Sequence, residues 1–251
     1  MLLVLLPLLA VQAPAAAPPT KPIAIPGTFE ENRGQADPRV RFFSRRSNYT
    51  VFLTSEGAVF SLARDSGKRR AAVRLSFVGG RRDAVVVPEL PLVAKTNYFK
   101  GADPSRWQTG IPNYGRVRLR GIRPGVDVLF YLRDNELEYD LVVRPGTDPD
   151  RVRVRFEGQE SMAVDGAGDL VLETAAGRLV AHKPHVWQKA DGKRREVPAR
   201  YVLTRLQGDT VPAGELRPHA AAHHRSRHQL LDLRTDHGSG NRGGHGLELS
   251  T

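Results

Sequence analysis

There is no cysteine anywhere in this 251-residue chain. That excludes disulfide staples, thiolate zinc sites, a cysteine nucleophile and a lipid-modified cysteine anchor. Aromatic residues make up only 7% of the chain. Readers of nucleic acid interleave stacking aromatics with positive charge, so nucleic acid is not an expected partner. The motifs of common catalysis are also missing: no Gly-x-Ser-x-Gly elbow, no Gly-Lys-Ser/Thr phosphate loop and no His-Glu-x-x-His. Gly166-Ala-Gly168 lacks the third glycine and the following helix of a dinucleotide site, and reads as a turn. No cofactor is expected. No stretch of ten or more residues carries a capped 3.6-residue apolar period, so helix is expected to be scarce.

Positive charge, by contrast, is abundant. Lys and Arg number 38 against 27 Asp and Glu, a net charge of +11. Such an excess favours acidic partners and says nothing about fold. Met1–Ala10 is an apolar run of signal-peptide length, and Ala13-Pro-Ala15 offers a small-x-small cleavage site. No Lys or Arg precedes the run, an atypical feature of such a signal. A transmembrane span requires roughly 20 apolar residues, and Pro7, Gln12 and Pro14 interrupt this one too soon. The reading is a signal peptide over 1–15, a Pro/Ala-rich linker over 16–27, and secretion or display at the cell surface.

Between residues 28 and 211 short alternating apolar and polar runs are separated by turn signals. Expected strands are Val40–Phe43, Tyr49–Thr54, Ala58–Ala63, Ala72–Val78, Ala84–Val87, Arg116–Arg120, Val126–Leu132, Glu136–Val143, Arg151–Phe156, Leu170–Glu173, Arg178–Ala181, His185–Lys189 and Tyr201–Leu206. Asp134 and Asn135 tolerate turn backbone angles and predict a hairpin between Val126–Leu132 and Glu136–Val143. The expectation is an all-β body, an antiparallel sandwich or barrel-like fold of about a dozen short strands, possibly as two sub-sheets.

Several blocks occur in a recognisable order: Phe29-Glu-Glu-Asn-Arg-Gly-Gln-Ala-Asp-Pro-Arg-Val-Arg-Phe-Phe43, Tyr49–Thr54, Lys95-Thr-Asn-Tyr-Phe-Lys-Gly101, Ile111-Pro-Asn-Tyr-Gly-Arg-Val117, Gly121-Ile-Arg-Pro-Gly-Val-Asp127, Leu137–Gly146 and Phe156-Glu-Gly158. Over about residues 28–205 they resemble the N-terminal domain of unknown function that precedes SBBP (beta-propeller-type) repeats in secreted bacterial surface proteins. The resemblance implies an all-β module without an assigned activity, followed in the full-length protein by a repeat domain. On that reading this chain is a fragment.

Glu136, Glu138 and Asp140 recur at every second position and project to one face of a strand. As an acid/base pair such carboxylates would serve a carbohydrate-active hydrolase, and as hard oxygen ligands they would suit Ca²⁺ or a glycan. Arg116, Arg118 and Arg120 form a comparable cationic row, as do Arg151, Arg153 and Arg155. Opposed on neighbouring strands, such rows would stabilise pairing by about 0.2–1 kcal/mol per pair; turned outward, the arginines would make a face for acidic polysaccharide or other cell-envelope components. His182 and His185, three apart, are expected to point to different faces in ordinary structural roles.

Residues 212–251 contain no Val, no Ile and no aromatic residue, yet hold six of the eight histidines. A segment so poor in β-branched and aromatic residues is expected to extend a sheet poorly and to be disordered. Two readings stay open. His219/His223 and His224/His228 are spaced to present imidazole pairs to a metal from a helix. Alternatively, out-of-frame translation of a GC-rich gene from about residues 208–216 yields this composition. The whole is read as a non-catalytic exported module with a structural, adhesive or ligand-binding role.

Overall fold

The computed structural model describes residues 27–46, 49–133, 136–149, 152–190, 193–205, 214–220 and 229–236. The signal peptide, nearly all of the Pro/Ala-rich linker, the Asp134-Asn135 turn and most of the 212–251 segment lie outside the described residues. Strands account for 65% of the structure and helix for 4%, so the fold is all-β as expected. The strands are Phe29–Glu31 (β1), Phe42–Arg45 (β2), Tyr49–Thr54 (β3), Gly57–Arg64 (β4), Arg69–Phe77 (β5), Val85–Tyr98 (β6), Gln108–Arg123 (β7), Val126–Arg133 (β8) and Glu136–Val143 (β9). They continue with Val154–Glu157 (β10), Ser161–Val164 (β11), Leu170–Thr174 (β12), Gly177–Ala181 (β13), His185–Ala190 (β14), Lys193–Val197 (β15), Ala199–Arg205 (β16), Gly214–Ala220 (β17) and Gln229–Asp236 (β18).

β7 is the branch point of the sheet. β6 runs along one of its edges, with Val85 opposite Arg120 and Tyr98 opposite Gln108. On the other edge β1 pairs at Asn113 and Tyr114, and β8 takes over at Arg116. From β1 the ladder continues through β2, β3, β4, β5, β10, β17 and β16. From β8 it continues through β9, β18, β14 and β15. β11, β12 and β13 form a smaller sheet joined at β18. The large sheet curls into a half-barrel. The curl brings β3 to β9, where the backbone N–H of Leu137 donates to the Tyr49 hydroxyl at 3.1 Å.

The core follows from alternation. In β3, Tyr49, Val51 and Leu53 are buried while Thr50, Phe52 and Thr54 are less so. Val117 and Leu119, Val128 and Phe130, and Leu137, Tyr139 and Leu141 supply the facing layer. Each such aliphatic or aromatic side chain contributes about 1.5–3 kcal/mol on leaving water, offset by the entropy of ordering it. Gly158, in the Phe156-Glu-Gly158 block, has φ +100, and a Cβ there would lie 2.1 Å from the Ala72 carbonyl oxygen. Only glycine lets β10 leave the sheet so close to β5.

Two strands come from the last segment of the chain. β17 pairs with β16 over seven positions, from Ala199 opposite Ala220 to Arg205 opposite Gly214. β18 pairs with β9, with Leu233 opposite Tyr139. Ladder hydrogen bonds are made by the backbone whatever the side chains, so a segment poor in β-branched residues still joins the sheet. His219 sits in β17 opposite Arg200, in extended backbone, which removes it from a helical pair with His223. The remaining tail histidines lie outside the described residues.

Candidate functional site

The Phe29–Phe43 stretch forms β1, a loop and β2, and its polar residues bond inward. Asn32 organises the loop. Its backbone N–H donates to the Arg41 carbonyl at 2.9 Å. Its side-chain Nδ2 donates to the carbonyls of Asp37 and Val40, each at 2.9 Å, and its Oδ1 accepts from the backbone N–H groups of Gly34 (3.1 Å) and Ala36 (3.0 Å). Gly34 adopts φ +107, a conformation open to glycine at little cost. Asp37 accepts from the backbone and guanidinium of Arg39 at 2.9 Å, and these bonds hold its carboxyl down at about 2.

Glu30 carries the second half of the arrangement. It is nearly inaccessible, and a buried carboxylate requires compensating donors. Three residues supply them. The Tyr98 hydroxyl lies 2.7 and 2.8 Å from its two oxygens, Gln35 Nε2 donates at 2.9 Å, and Arg45 stands at 3.5 Å. Arg45 also donates to the Tyr98 hydroxyl and covers the Phe43 ring at 4.4 Å. Burial first, and then the Glu30 hydrogen bond, push the Tyr98 phenol above its ordinary range. Gln108 Nε2 reaches the Arg33 carbonyl at 3.2 Å. Tyr98 and Gln108 face each other where the β6–β7 arm narrows towards its tip, so these bonds clamp the arm to the body.

Beside the loop is a cleft of about 440 Å³, lined by Glu31, Asn32, Arg41, Phe42 and residues 83–86. Its two carboxylates are engaged locally, Glu31 with Arg33 at 3.3 Å and Asp83 with Arg81 at 3.0 Å. The Arg81 hydrogen bonds hold the Asp83 carboxyl below the ordinary range. The Asp83 carboxyl therefore suits a structural ion pair better than a general acid, which needs a raised pKa.

The charged rows lie elsewhere. Arg116 stands opposite Tyr131 and Tyr131 opposite Glu138; Arg118 stands opposite Leu129 and Leu129 opposite Asp140. Arg116, Arg118, Arg120, Glu136, Glu138 and Asp140 therefore share one face of β7–β8–β9, but β8 separates the two rows. The two rows are therefore not on neighbouring strands, as the expected cross-strand ladder requires. Arg118 pairs instead with Glu89 of β6 at 2.5 Å, while Arg116 lies 6.0 Å from the centre of the Tyr131 ring. Glu136 stands opposite Arg133 in the β8–β9 register. Glu138 and Asp140 are 2% and 5% exposed. The Tyr131 hydroxyl donates to Asp140 at 2.9 Å, and Arg133 approaches Glu138 at 3.5 Å. Of the body histidines, His182 Nδ1 lies 2.9 Å from Asp169 Oδ2 and its carbonyl accepts from the Tyr201 hydroxyl at 2.7 Å; His185 is exposed.

Residues 29–212 match the family described as "Domain of unknown function (DUF7948)". The chain belongs to this family. No curated protein and no solved structure matches it. The span of the DUF7948 domain opens at Phe29, the first residue of β1, and closes beside the composition break after Val211. Its opening block holds the Asn32 loop and Glu30, so this block coincides with a connected polar network. Sequence reading found that block by resemblance and assigned no role to Glu30, Asn32, Gln35 or Tyr98. The signal was a run of polar residues flanked by Phe29 and the Phe42-Phe43 pair; their partners, 68 positions apart for Glu30 and Tyr98, are fixed only by the fold.

Proposed function

We propose that this DUF7948 chain is a non-catalytic, exported module of a larger cell-surface or secreted repeat protein, with an adhesive or ligand-binding role towards acidic polysaccharide or other cell-envelope components. One observation carries the reading: the polar side chains of the opening block spend their hydrogen bonds on one another and on Tyr98, at the tip end of the β6–β7 arm. That is the behaviour of a scaffold that presents a surface. The apolar run at the start of the chain supports export, and the resemblance of the successive blocks supports a place ahead of SBBP-type repeats.

The hydrolase alternative draws less support. Two carboxylates working on a polymer must reach its scissile bond, and Glu138 and Asp140 are nearly closed to solvent. The export half is tested by fusing residues 1–27 to a reporter enzyme that is active only after translocation. Activity outside the cytoplasm with cleavage near Ala15 is expected; an uncleaved, inactive fusion contradicts export. The non-catalytic half is tested by incubating the full chain with a glycan panel. Release of reducing ends that Glu138→Gln abolishes would overturn it.

A further inference from the structure

The β6–β7 arm ends in residues 99–107, and two aromatic rings meet there. Phe99 and Trp107 are 62% and 38% exposed, with ring centroids 5.1 Å apart and planes at 86°. The pair is held in place. Trp107 Nε1 donates to the Gly101 carbonyl at 3.1 Å, and its backbone N–H donates to the Pro104 carbonyl at 3.1 Å. Asp103 caps the intervening turn, accepting from the Ser105 N–H at 2.9 Å and hydroxyl at 2.8 Å. The indole has thus satisfied its only donor inside the turn while the rings stay open to solvent. Exposed rings fixed on a rigid support lose little entropy when a ligand stacks on them.

The surrounding charge is predominantly positive. Lys95, Lys100 and Arg106 are exposed, and none forms an ion pair among the described residues. The one acid in this stretch, Asp103, is turned to its cap. We infer that the tip of the β6–β7 arm is a binding site for an anionic polysaccharide, with Phe99 and Trp107 stacking on sugar rings and Lys95, Lys100 and Arg106 taking carboxylate or sulfate groups. The inference rests on the binding role proposed above and gives it a location and a ligand class. Aromatic faces carry negative quadrupole density and meet the electropositive C–H faces of pyranoses, while the cations select acidic chains over neutral ones.

Two other occupants fit less well. Val93 is fully exposed and lies six residues before Phe99, about 20 Å along an extended strand. The open apolar groups therefore string along the arm, as suits a linear polymer, rather than sharing the single depth of a membrane anchor. A second copy adding a strand to β6 would meet Pro88 and Pro91, which offer no N–H and blunt an edge.

The test titrates the full chain with polygalacturonate and heparin, and with neutral dextran as control, at about 0.15 M salt. Binding to the acidic polymers and not to dextran is expected. Phe99→Ala and Trp107→Ala should each weaken it about tenfold, the cost of removing a central aromatic anchor. Lys100→Glu with Arg106→Glu should remove most of the affinity without changing the melting temperature, and Arg116→Ala with Arg120→Ala should leave it largely intact. Wild-type binding that the tip variants do not alter overturns the tip site while the binding role stands. Failure of the wild-type chain to bind either acidic polymer overturns the tip site and the polysaccharide role together. Preferential co-sedimentation with phosphatidylglycerol vesicles, or a dimer lost in Trp107→Ala, assigns the tip to a membrane or a second copy and overturns it as well.

Discussion

The hydroxyl of Tyr98 sits between the two carboxylate oxygens of Glu30, 2.7 and 2.8 Å away, and joins the first strand of the domain to the far end of its longest arm. Removing it leaves a buried carboxylate with Gln35 and Arg45 alone. Losing one partner of a buried charged group costs about 1–3 kcal/mol. Tyr98→Phe is expected to lower unfolding stability by about that amount and to speed hydrogen exchange in residues 92–111 more than in β3–β5. Urea melts and exchange rates check both; an unchanged exchange pattern contradicts the clamp.

Tyr139 gives a prediction about alkaline stability. Its ring is buried against Phe130 at 5.8 Å, and its hydroxyl has no hydrogen-bond partner among the described residues. Burial alone pushes its pKa far above the ordinary tyrosine value of 10.0. The folded state therefore holds this proton more tightly than the unfolded state. The stability linked to it is fully present below about pH 10 and is lost as pH rises above that. Tyr139→Phe is expected to flatten the alkaline fall and to leave stability at pH 7 equal or higher, since it removes an unsatisfied buried group. Urea midpoints between pH 7 and about pH 11 read this out.

Gly158→Ala tests the close approach of β10 to β5. The new methyl carbon would meet the Ala72 carbonyl oxygen at 2.1 Å, at a φ of +100. Strain of this kind costs about 1–3 kcal/mol for the backbone conformation, with the collision in addition. A stability loss of about 3 kcal/mol or more is expected, against a change within about 0.5 kcal/mol for Gly166→Ala, where nothing lies within 4 Å.

On β9, Glu138→Gln and Asp140→Asn are expected to act on stability and not on turnover. Asp140 accepts from Tyr131 at 2.9 Å and Glu138 lies 3.5 Å from Arg133. Thermal melts should fall for both variants, and polysaccharide binding should stay within about twofold of wild type, a difference below roughly 0.5 kcal/mol.

Much of the fold was legible because its period is two. Tyr49–Thr54 alternates cleanly, and it and Glu136–Val143, which is buried on both faces, have the bounds their pattern gives. The arm was legible only in part. Pro88, Pro91 and Pro112 interrupt its pattern, and Leu90 adopts φ 55 just before an irregularity between Pro91 and Lys95, so a 14-residue strand reads as the short piece Ala84–Val87. Lys193–Val197 carries four charges in five residues and offers no apolar face to detect. The charged rows were legible as rows, and their sharing of one face follows from alternation. Their spacing by one strand depends on β8 lying between β7 and β9, which one sequence does not encode locally. Glu30 and Tyr98 belong to the same class: each looks ordinary until the sheet closes.

The most direct test of the account is the thermal melt of Asn32→Ala, run beside its binding to polygalacturonate. The opening block acts as scaffold. Loss of the Asn32 side-chain bonds to Gly34, Ala36, Asp37 and Val40 should cost about 2–3 kcal/mol, a fall of roughly 5–10 °C in Tm for a domain of this size. Binding per folded molecule should fall only as far as the arm loosens, and should recover at low temperature. An unchanged Tm with binding abolished at every temperature would contradict the account, and would make the Asn32 loop a ligand site.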